Sequence, residues 1–365
     1  MSFKVFHIVT HFDLGGAEKV AVNIASSKNP DYEYHLVEVV RGRGGFSKGF
    51  VNDLNEKEIR HHRSLIHNNK IGIILFPFWF LFLVLKYRPA IIHTHTEVPD
   101  LSVFLFYKLF GSFFPYSKYV RTIHNTVLWS KWEKIGNMVE MFFLSQCSNI
   151  AISESVRDSF LQKYEGNPPI IYNGMEEVKQ ISFEDIDRTK VNVLFAGRLE
   201  YQKGIDELIG VIKGCKGISG LEFWIIGDGS LHDKLMNETE GFFNVHYYEK
   251  IFGLSSYLSS FDYLFMPSNF EGLALMPIEA SLAKIPTIIN SCPGLEDTLP
   301  KDWPLKVNGN NVEEYIEIFT HIADFDKRTL GMKAYEYAMA HFSIEEMQRK
   351  YENRYEKLIN VKEKK

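Results

Sequence analysis

The most informative stretch of this sequence is FEGLALMPIEA, which runs from Phe270 to Ala280. It follows an apolar, strand-like run and enters an apolar helix start, where Pro277 suits an early helical position. A strand, a loop of small residues and a helix together aim free backbone N–H groups at an anion. Carboxylates on both sides of the loop, Glu271 and Glu279, suit hydroxyl groups such as those of a ribose and a sugar ring. We therefore predict a site for a ligand with phosphate and sugar; an ordinary turn with two solvated glutamates is the alternative.

Around this stretch, short apolar runs alternate with longer amphipathic ones, which predicts parallel sheets covered by helices. The charged segment Glu176–Lys190 has a weak apolar signal and separates two such series, so we interpret it as a linker. The predicted strands are Lys4–Thr10, Glu33–Val40, Ala90–His93, Tyr119–Ile123, Asn149–Ile152 and Ile170–Tyr172, then Val191–Ala196, Leu221–Ile226, Asn244–Tyr247, Tyr263–Met266 and Thr287–Asn290. The predicted helices include Gly16–Ser26, Ile205–Lys213, Leu231–Glu238, Leu254–Ser260 and Pro277–Ala283.

The length of 365 residues fits two domains better than one. We predict an α/β protein with two Rossmann-like domains that face a central cleft, the first at 1–175 and the second at 190–340. Residues 341–365 should form a C-terminal helix that returns to the first domain, with Met347 and Tyr351 on its apolar stripe. Ligands of open α/β sheets bind beyond the carboxyl ends of the strands, so the site is expected there.

Composition excludes some function classes. The net charge of −5 provides no basic field for nucleic acid, and no nucleic-acid-binding motif is evident. The three cysteines, Cys147, Cys215 and Cys292, lack metal-ligand spacing, so we expect buried thiols in a reducing compartment. The N-terminal residues lack the apolar core and cleavage site of a signal peptide, and we interpret them as a first strand. We therefore expect a cytoplasmic protein.

One apolar, aromatic run, Ile71–Leu85, indicates a helix in the core or at a membrane surface. It is shorter than the ~20 residues that span a bilayer. Lys70 precedes it and two cations, up to Arg88, follow it, as in helices that lie on anionic lipid. If the run docks on a membrane, Trp79 and Phe80 are the expected contacts, and the protein would be peripheral on the inner face of the plasma membrane. A core helix is the equally supported alternative.

A glycine pair follows the first predicted strand in DLGGAE, Asp13–Glu18. Gly15 and Gly16 let the backbone approach a ligand closely and leave amides free for phosphate. The G-x-G-x-x-G spacing of dinucleotide-binding proteins is absent, which argues against a dehydrogenase. A simple tight turn is the alternative.

Two cations stand in FAGRLEYQKG, Phe195–Gly204, at the end of the first strand of the second series. Arg198 offers a planar fork and Lys203 a compact charge, and both suit a departing diphosphate. Gly197 keeps this loop tight. A pair of solvated cations is the alternative.

Two further strand ends carry polar or flexible residues. Gly227 opens a Gly-Asp-Gly turn and would permit close approach of a base or phosphate, although a plain sharp turn explains it as well. His124 ends a strand of the first series, where an imidazole can hydrogen-bond to a sugar hydroxyl or serve a structural role. The pair His93 and His95 has no further ligands at metal spacing, so we do not interpret it as a metal site.

Together these motifs resemble the family 4 retaining glycosyltransferases, which use nucleotide sugars and have the GT-B fold. The matching segments are Gly15–Glu18, Ile123–Asn125, Tyr172–Gly174, Gly197–Leu199, Lys203–Gly204, Gly227–Gly229, Pro267–Ser268, the Glu-x7-Glu element and Asn290–Asp297. They cover nearly the whole chain in the expected order. The sequence is also similar in texture to enzymes of bacterial capsule, exopolysaccharide or O-antigen assembly.

The resemblance implies a donor site around the Glu-x7-Glu element. Glu279 should hold the ribose hydroxyls of the donor, and Glu271 should lie beside its sugar. The backbone of Gly272, Leu273 and Ala274 should line the sugar and the phosphate. Family members often have a smaller residue where this chain has Ala274, so the identity of the donor sugar stays open.

The resemblance also implies which groups act on the leaving phosphate. Arg198 and Lys203 should neutralise the diphosphate, Gly16 should bring amides to the phosphates from the other domain, and His124 should lie near the transferred sugar. For catalysis we expect His124, Glu271, Arg198 and Lys203, and for donor binding Gly15, Gly16, Gly197, Arg198, Lys203, Gly227, Glu271, Gly272, Leu273, Ala274 and Glu279. Neither a metal nor another cofactor is expected.

The predicted function is transfer of a sugar, with retention, from a nucleotide-diphosphate sugar, with UDP as the expected nucleotide. The predicted acceptor is a saccharide, linked to lipid, in bacterial surface polysaccharide synthesis. An isomerase of the UDP-sugar 2-epimerase type is one alternative, but further acid and base groups around the sugar are not evident. A non-catalytic subunit that binds nucleotide sugar is another, against which the intact charged residues argue.

Overall fold

The computed structural model describes residues 2–13, 15–43, 45–129, 132–146 and 148–360. Cys147, Leu14 of the glycine turn and the last five positions of the expected C-terminal helix lie outside the described residues. The chain divides into two compact units, one formed by Met1–Gly174 with Ile344–Lys365 and the other by Met175–Ser343.

The first unit is built on a six-stranded parallel sheet in the order β3-β2-β1-β4-β5-β6. Its strands are β1 (Phe3–Val9), β2 (Tyr32–Glu38), β3 (Arg60–His62), β4 (Ile91–His95), β5 (Lys118–Ile123) and β6 (Asn149–Ala151). Its helices are α1 (Gly16–Ala25), α2 (Gly45–Glu56), α3 (Asn69–Tyr87), α4 (Glu97–Phe110), α5 (Glu133–Ser145) and α6 (Glu154–Tyr164). The strands are almost continuously buried, as expected of a parallel sheet covered on both faces.

The second unit repeats this arrangement with a six-stranded parallel sheet in the order β12-β11-β10-β7-β8-β9. Its strands are β7 (Val191–Ala196), β8 (Leu221–Ile226), β9 (Val245–Tyr248), β10 (Tyr263–Met266), β11 (Thr287–Ser291) and β12 (Lys306–Asn308). Its helices are α7 (Ile205–Gly214), α8 (His232–Glu238), α9 (Leu275–Leu282), α10 (Val312–Thr320) and α11 (Lys327–Phe342). The predicted pair of Rossmann-like domains is confirmed.

The final helix, α12 (Ile344–Asn360), belongs to the first unit, as predicted. Met347, Tyr351 and Tyr355 are buried there against β-strand side chains. Tyr351 Oη lies 2.9 Å from Thr122 Oγ1, and Tyr355 Oη lies 2.7 Å from a ring nitrogen of His93. Burial of each large side chain stabilises this docking by roughly 1.5–3 kcal/mol.

Two predicted elements differ from the structure, and two strands were missed. The segment Ile170–Tyr172 forms a single bridge rather than a strand, because the prolines before it have no N–H to donate. The segment Leu254–Ser260 forms two short 3-10 turns rather than a helix, and its four serines compete for backbone groups. Arg60–His62 and Lys306–Asn308 escaped prediction because they are three-residue edge strands with little apolar character.

Helix α3 is apolar on every side, but only part of its surface packs into the protein. Its inner face, which includes Phe76 and Phe80, is buried in the core of the first unit. Its outer face leaves large apolar side chains exposed. Within the described residues it is the one helix long and apolar enough to cross a membrane, and 39% of its apolar segment is buried. The expectation that Phe80 contacts lipid is wrong, because its side chain is 0% exposed.

A buried ion pair joins β5 to α5. The Arg121 guanidinium donates to both carboxylate oxygens of Glu140, each at 2.7 Å, and Trp129 Nε1 donates to one of them at 2.6 Å. Asp100 Oδ2 lies 3.7 Å from Arg121 Nη1. Burial raises the pKa of Asp100 to about 8. The carboxylate that Arg121 contacts through two hydrogen bonds is that of Glu140.

Cys215 and Cys292 are free, buried thiols, as the sequence predicts. Burial raises the pKa of each to about 12. Because the thiolate is the reactive form, neither residue is suited to nucleophilic chemistry.

Candidate functional site

Four neighbouring strands of the second sheet end in the loops that the sequence singles out. The strands β11, β10, β7 and β8 lie side by side and are parallel, so their carboxyl ends meet at one edge of the sheet. The loops at this edge are Cys292–Gly294 after β11, Pro267–Ala274 after β10, Gly197–Gly204 after β7 and Gly227–Gly229 after β8. Ligands of such sheets bind at this edge, so we call it the carboxyl edge.

Glycines allow these loops to touch backbone to backbone. A Cβ on Gly227 would lie 1.8 Å from the carbonyl oxygen of Gly197, and one on Gly294 would lie 2.3 Å from that of Glu271. At Gly204, φ is +70° and a Cβ would meet the backbone after β10 at 1.7 Å. These positions exclude a side chain on steric grounds. Gly227 therefore lets the loops after β7 and β8 pack closely against each other.

A charged network occupies the carboxyl edge. Lys203 Nζ donates to Glu271 Oε1 at 2.6 Å, and the two side chains are 16% and 7% exposed. Arg198 Nη2 donates to Gln202 Oε1 at 3.0 Å, and Gln202 Nε2 lies 3.4 Å from Glu271 Oε2. The structure thus brings Arg198, Lys203 and Glu271 into one connected set. An ammonium has three donors, so Lys203 can keep Glu271 and still contact a phosphate.

Glu279 has a partner from a separate segment of the second unit. It is the fifth residue of α9, and its carboxylate accepts a hydrogen bond from Ser255 Oγ at 2.8 Å. Ser255 belongs to the short turn before β10. A carboxylate can accept several hydrogen bonds, which suits the predicted bond to ribose hydroxyls.

The loop between the two glutamates is anchored to the loop after β11. Ala274 donates its N–H to the carbonyl oxygen of Gly294 at 2.9 Å, and Glu271 donates to that of Pro293 at 3.3 Å. The Ala274 N–H is therefore engaged within the protein, and its methyl group is buried. At Gly272 a Cβ would enter open space, so the backbone there is accessible from at least one side.

The glycine pair of the first unit begins α1, as predicted. Gly15 is its N-cap and Gly16 its first residue. The Glu18 carboxylate folds back over this turn, because a Cβ on Gly15 would lie 2.1 Å from Glu18 Oε2. Burial raises the pKa of Glu18. A phosphate at this helix start would face a carboxyl group, which favours the protonated form of Glu18 when the anion is bound.

His124 directly follows β5 and is the first of three histidines that contact one another in series. Its Nε2 lies 3.2 Å from Nδ1 of His95, and Nε2 of His95 lies 2.9 Å from Nδ1 of His7. Desolvation lowers the pKa of His124 to about 4 and that of His7 to about 3. His124 is therefore neutral near pH 7, a form that can donate or accept a hydrogen bond. Its place beside a sugar hydroxyl stays a prediction.

The histidines His7, His93 and His95 bring ring nitrogens within 4.8 Å of one another, a spacing that metal sites also show. Both nitrogens of His93, however, have protein partners: Tyr355 Oη at 2.7 Å and Thr122 Oγ1 at 2.8 Å. His7 Nδ1 and His95 Nε2 share a hydrogen bond. The three histidines are thus part of a buried hydrogen-bond network.

The sequence did not indicate two contributors to these sites, Gln202 and Ser255, or the role of a third, His95. Gln202 connects Arg198 to Glu271, although it stands inside a quoted motif. Ser255 is contributed by a distant segment and carries no local signal. His95 belongs to a motif that the sequence shows, but its contact with His124 does not follow from that motif. Such residues can be found only when the strand order is known.

Two family models match this chain. The model described as Glycosyltransferase Family 4 matches residues 14–177, and the model described as Glycosyl transferases group 1 matches residues 190–324. The two matches follow one another along the chain and correspond to the first and second sheets.

Two of the similar curated proteins are described by a cps region or by capsular polysaccharide biosynthesis. A 41.2 kDa protein from the cps region of Klebsiella pneumoniae is 34% identical over 40% of this chain. CapH, a capsular polysaccharide biosynthesis glycosyltransferase of Staphylococcus aureus, is 23% identical over 76% of this chain and 78% of its own length. The chain spans 40% to 55% of the length of the first three relatives that it matches.

Solved structures with the same fold include a glycosyltransferase from Rickettsia africae, at a TM-score of 0.81 and 17% identity over 98% of this chain and 99% of that one. Anabaena HepE, solved with UDP-glucose, has a TM-score of 0.69 and 17% identity over 96% of this chain and 98% of its own. At this identity the likeness concerns the fold. With both family models matched in order, this chain belongs to the family 4 glycosyltransferases of the GT-B fold.

Proposed function

We propose that this protein transfers a sugar from a nucleotide-diphosphate sugar to a saccharide acceptor in the synthesis of a bacterial surface polysaccharide. The observation that carries the proposal is the network of Lys203, Glu271 and Arg198 at the carboxyl edge. Its cations suit a diphosphate, and its carboxylate suits sugar hydroxyls. HepE was solved with UDP-glucose, which supports UDP as the nucleotide to test first.

The costly step in this reaction is cleavage of the anomeric C–O bond, in which negative charge builds up on the departing diphosphate. Fixed cations aimed at that charge are the expected main source of catalysis. We place Lys203 and Arg198 in this role, with Glu271 beside the sugar and Glu279 on the ribose. We further propose retention: the acceptor oxygen forms the new bond on the face that the diphosphate leaves, and the departing phosphate takes the acceptor proton.

Mass spectrometry can test this function directly. The purified protein would be incubated with UDP-glucose, UDP-galactose and their N-acetyl forms, each with a polyprenyl-diphosphate monosaccharide as acceptor. We expect the acceptor to gain the mass of one sugar residue with one of these donors. The NMR spectrum of the product should show that the transferred sugar keeps the anomeric configuration that it has in the donor. Inversion of the anomeric centre would contradict retention. Conversion of the nucleotide sugar to its 2-epimer without acceptor would replace the transferase by an isomerase.

We also propose that the acceptor is lipid-linked and that the protein is cytoplasmic and docks on the inner face of the plasma membrane. The outer face of α3 carries the expected contact surface. Six apolar side chains, 44% to 63% exposed, share one stripe because they recur at helical spacing. They are Ile71, Ile74, Leu75, Phe78, Phe82 and Leu85.

Charge around this stripe favours anionic lipid. The sequence from Arg60 to Arg88 contains five Lys and Arg residues and no Asp or Glu. Of these, Lys70 and Lys86 lie at the two ends of α3 and are exposed. Basic residues near an anionic surface contribute about 1 kcal/mol each, and burial of each Phe contributes roughly 1.5–3 kcal/mol.

Vesicle co-sedimentation tests the docking proposal. We expect the protein to bind phosphatidylglycerol vesicles at low salt, with weaker binding at high salt because exposed charges are screened. The double variant Phe78→Ser, Phe82→Ser should lose at least about tenfold in partitioning without a change in the cooperative melt. The control is Phe243→Ser with Phe252→Ser, two phenylalanines of the second unit that are 97% and 94% exposed. Equal binding by the α3 variant and the control would contradict docking through α3.

A further inference from the structure

Three imidazoles run in series through the sheet of the first unit. His7 on β1 and His95 on β4 are fully buried, whereas His124 after β5 is partly exposed. The contacts that join them, His7 Nδ1 to His95 Nε2 at 2.9 Å and His95 Nδ1 to His124 Nε2 at 3.2 Å, are both between ring nitrogens. Each contact needs one hydrogen between its two nitrogens, so one ring must donate and the other accept.

Every ring in this series is neutral near pH 7, because burial lowers the pKa of His7 and His124 to about 3 and about 4 and that of His95 well below its ordinary value. A neutral imidazole carries one hydrogen, so a ring that accepts at one nitrogen must donate at the other. The tautomers are therefore coupled, and the series has two patterns. Either all hydrogens point from His7 towards His124, or all point from His124 towards His7.

The inner end of the series decides between the two patterns. Among the described residues, the buried Nε2 of His7 has no hydrogen-bond partner. If the hydrogens point inward, this nitrogen carries a buried N–H with no acceptor. If they point outward, it is a bare acceptor, and the last hydrogen belongs to Nδ1 of the partly exposed His124. Orphaned buried N–H groups are rarer than under-used acceptors, which favours the outward pattern.

We propose that His7 and His95 are positioning residues that fix the tautomer of His124, so that its Nδ1 carries the hydrogen. His124 then presents a hydrogen-bond donor, and in the resting protein it cannot take a proton at that atom. The inference rests on the proposed function in one respect: if a saccharide lies against His124, the imidazole donates to one of its oxygens and is not the base for the acceptor hydroxyl. That proton then goes to the departing phosphate, as proposed above.

Nitrogen NMR of the native full-length protein, labelled with ¹⁵N at histidine, tests the tautomer without any sugar nucleotide. Protonated and bare ring nitrogens have well-separated shifts, and each couples to a different set of ring protons. The His124 signals are those that disappear in His124→Gln. We expect hydrogen on Nδ1 of His124 and on Nδ1 of His95. Hydrogen on Nε2 of His124 in the native protein overturns the proposal.

Two substitutions of His7 separate positioning from packing. His7→Asn keeps an N–H near the place of Nδ1, whereas His7→Phe keeps a ring without any donor. We expect His7→Asn to preserve the Nδ1–H signal of His124 and His7→Phe to lose it. Transfer measured as kcat/KM should fall by about tenfold more in His7→Phe, in line with one lost hydrogen bond. An unchanged His124 spectrum in His7→Phe would overturn the coupling. The spectra are recorded without a nucleotide sugar. Failure of the transferase proposal can therefore be distinguished from failure of the tautomer proposal.

Discussion

Replacement of Lys203 by alanine perturbs the charged network at the carboxyl edge in a defined way. Lys203 Nζ lies 2.6 Å from Glu271 Oε1, and both side chains are largely buried at 16% and 7% exposure. The substitution removes a cation that would face the leaving diphosphate. It also leaves the Glu271 carboxylate without its ion-pair partner, so that its charge opposes the developing phosphate charge.

Loss of one preorganised contact to developing charge costs about 2.7–4 kcal/mol, which corresponds to a drop of about 100- to 1000-fold in turnover. We expect this loss for Lys203→Ala. Lys203→Gln keeps a hydrogen-bond donor for Glu271 but has no charge. We therefore expect it to lose nearly as much activity as Lys203→Ala, whereas its free energy of unfolding should be closer to that of the native protein. Because the pair is not fully buried, the free energy of unfolding should fall by less than the roughly 3–5 kcal/mol of a broken buried pair.

The assay is the initial rate of sugar transfer with the donor found in the mass-spectrometric screen, and urea unfolding is measured on each variant. The matched control is Lys333→Ala, which breaks the exposed pair of Lys333 with Asp302, 2.7 Å apart, in the same unit. The control should keep native rates. If Lys203→Ala folds and keeps a rate within about threefold of Lys333→Ala, less than 1 kcal/mol, then Lys203 does not act on the leaving group and the reasoning is refuted.

Three further predictions concern other sites. Glu279→Ala should weaken UDP binding by about 1.5–3 kcal/mol, and 2′-deoxy-UDP should lose less on this variant than on the parent in calorimetric titration; equal losses would exclude the 2′ hydroxyl contact. Burial holds the pKa of His7 at about 3 and of His124 at about 4, against 6.5 for the free side chain, so the unfolded chain binds more protons below pH 6.5. Each residue should therefore lower the free energy of unfolding by about 2 kcal/mol between about pH 8 and about pH 5, and urea titrations showing no such fall would contradict this. Glu140→Ala strands the buried Arg121 cation and should cost about 3–5 kcal/mol by urea unfolding, whereas a loss below about 1 kcal/mol would show that the pair is not needed.

Most of the fold could be predicted because parallel strands buried on both faces are continuous apolar runs. Val191–Ala196 and Leu221–Ile226 are such runs, each interrupted by one polar residue, and their predicted bounds agree with the structure. The same criterion misses Arg60–His62, a polar strand at the edge of its sheet. This strand pairs with β2 through backbone hydrogen bonds, which leave no apolar pattern in the sequence.

The site could be predicted only as a set of strand ends. Lys203 and Glu271 are 68 positions apart and meet because β7 and β10 are neighbours, which is a property of strand order. The histidine series depends on three strands in the same way, with His95 between the other two rings. Periodicity gives the elements, but the side chains that meet across them depend on topology and register.

Calorimetric titration of the purified protein with UDP tests the central claim most directly, which is that the carboxyl edge of the second sheet binds the diphosphate of a nucleotide sugar. We predict one binding site per chain in the native protein. Affinity should fall at least about tenfold in Lys203→Ala, in line with the loss of a charged contact, and should stay unchanged in Lys333→Ala. Binding of UDP with equal affinity by the native protein and both variants would contradict the account.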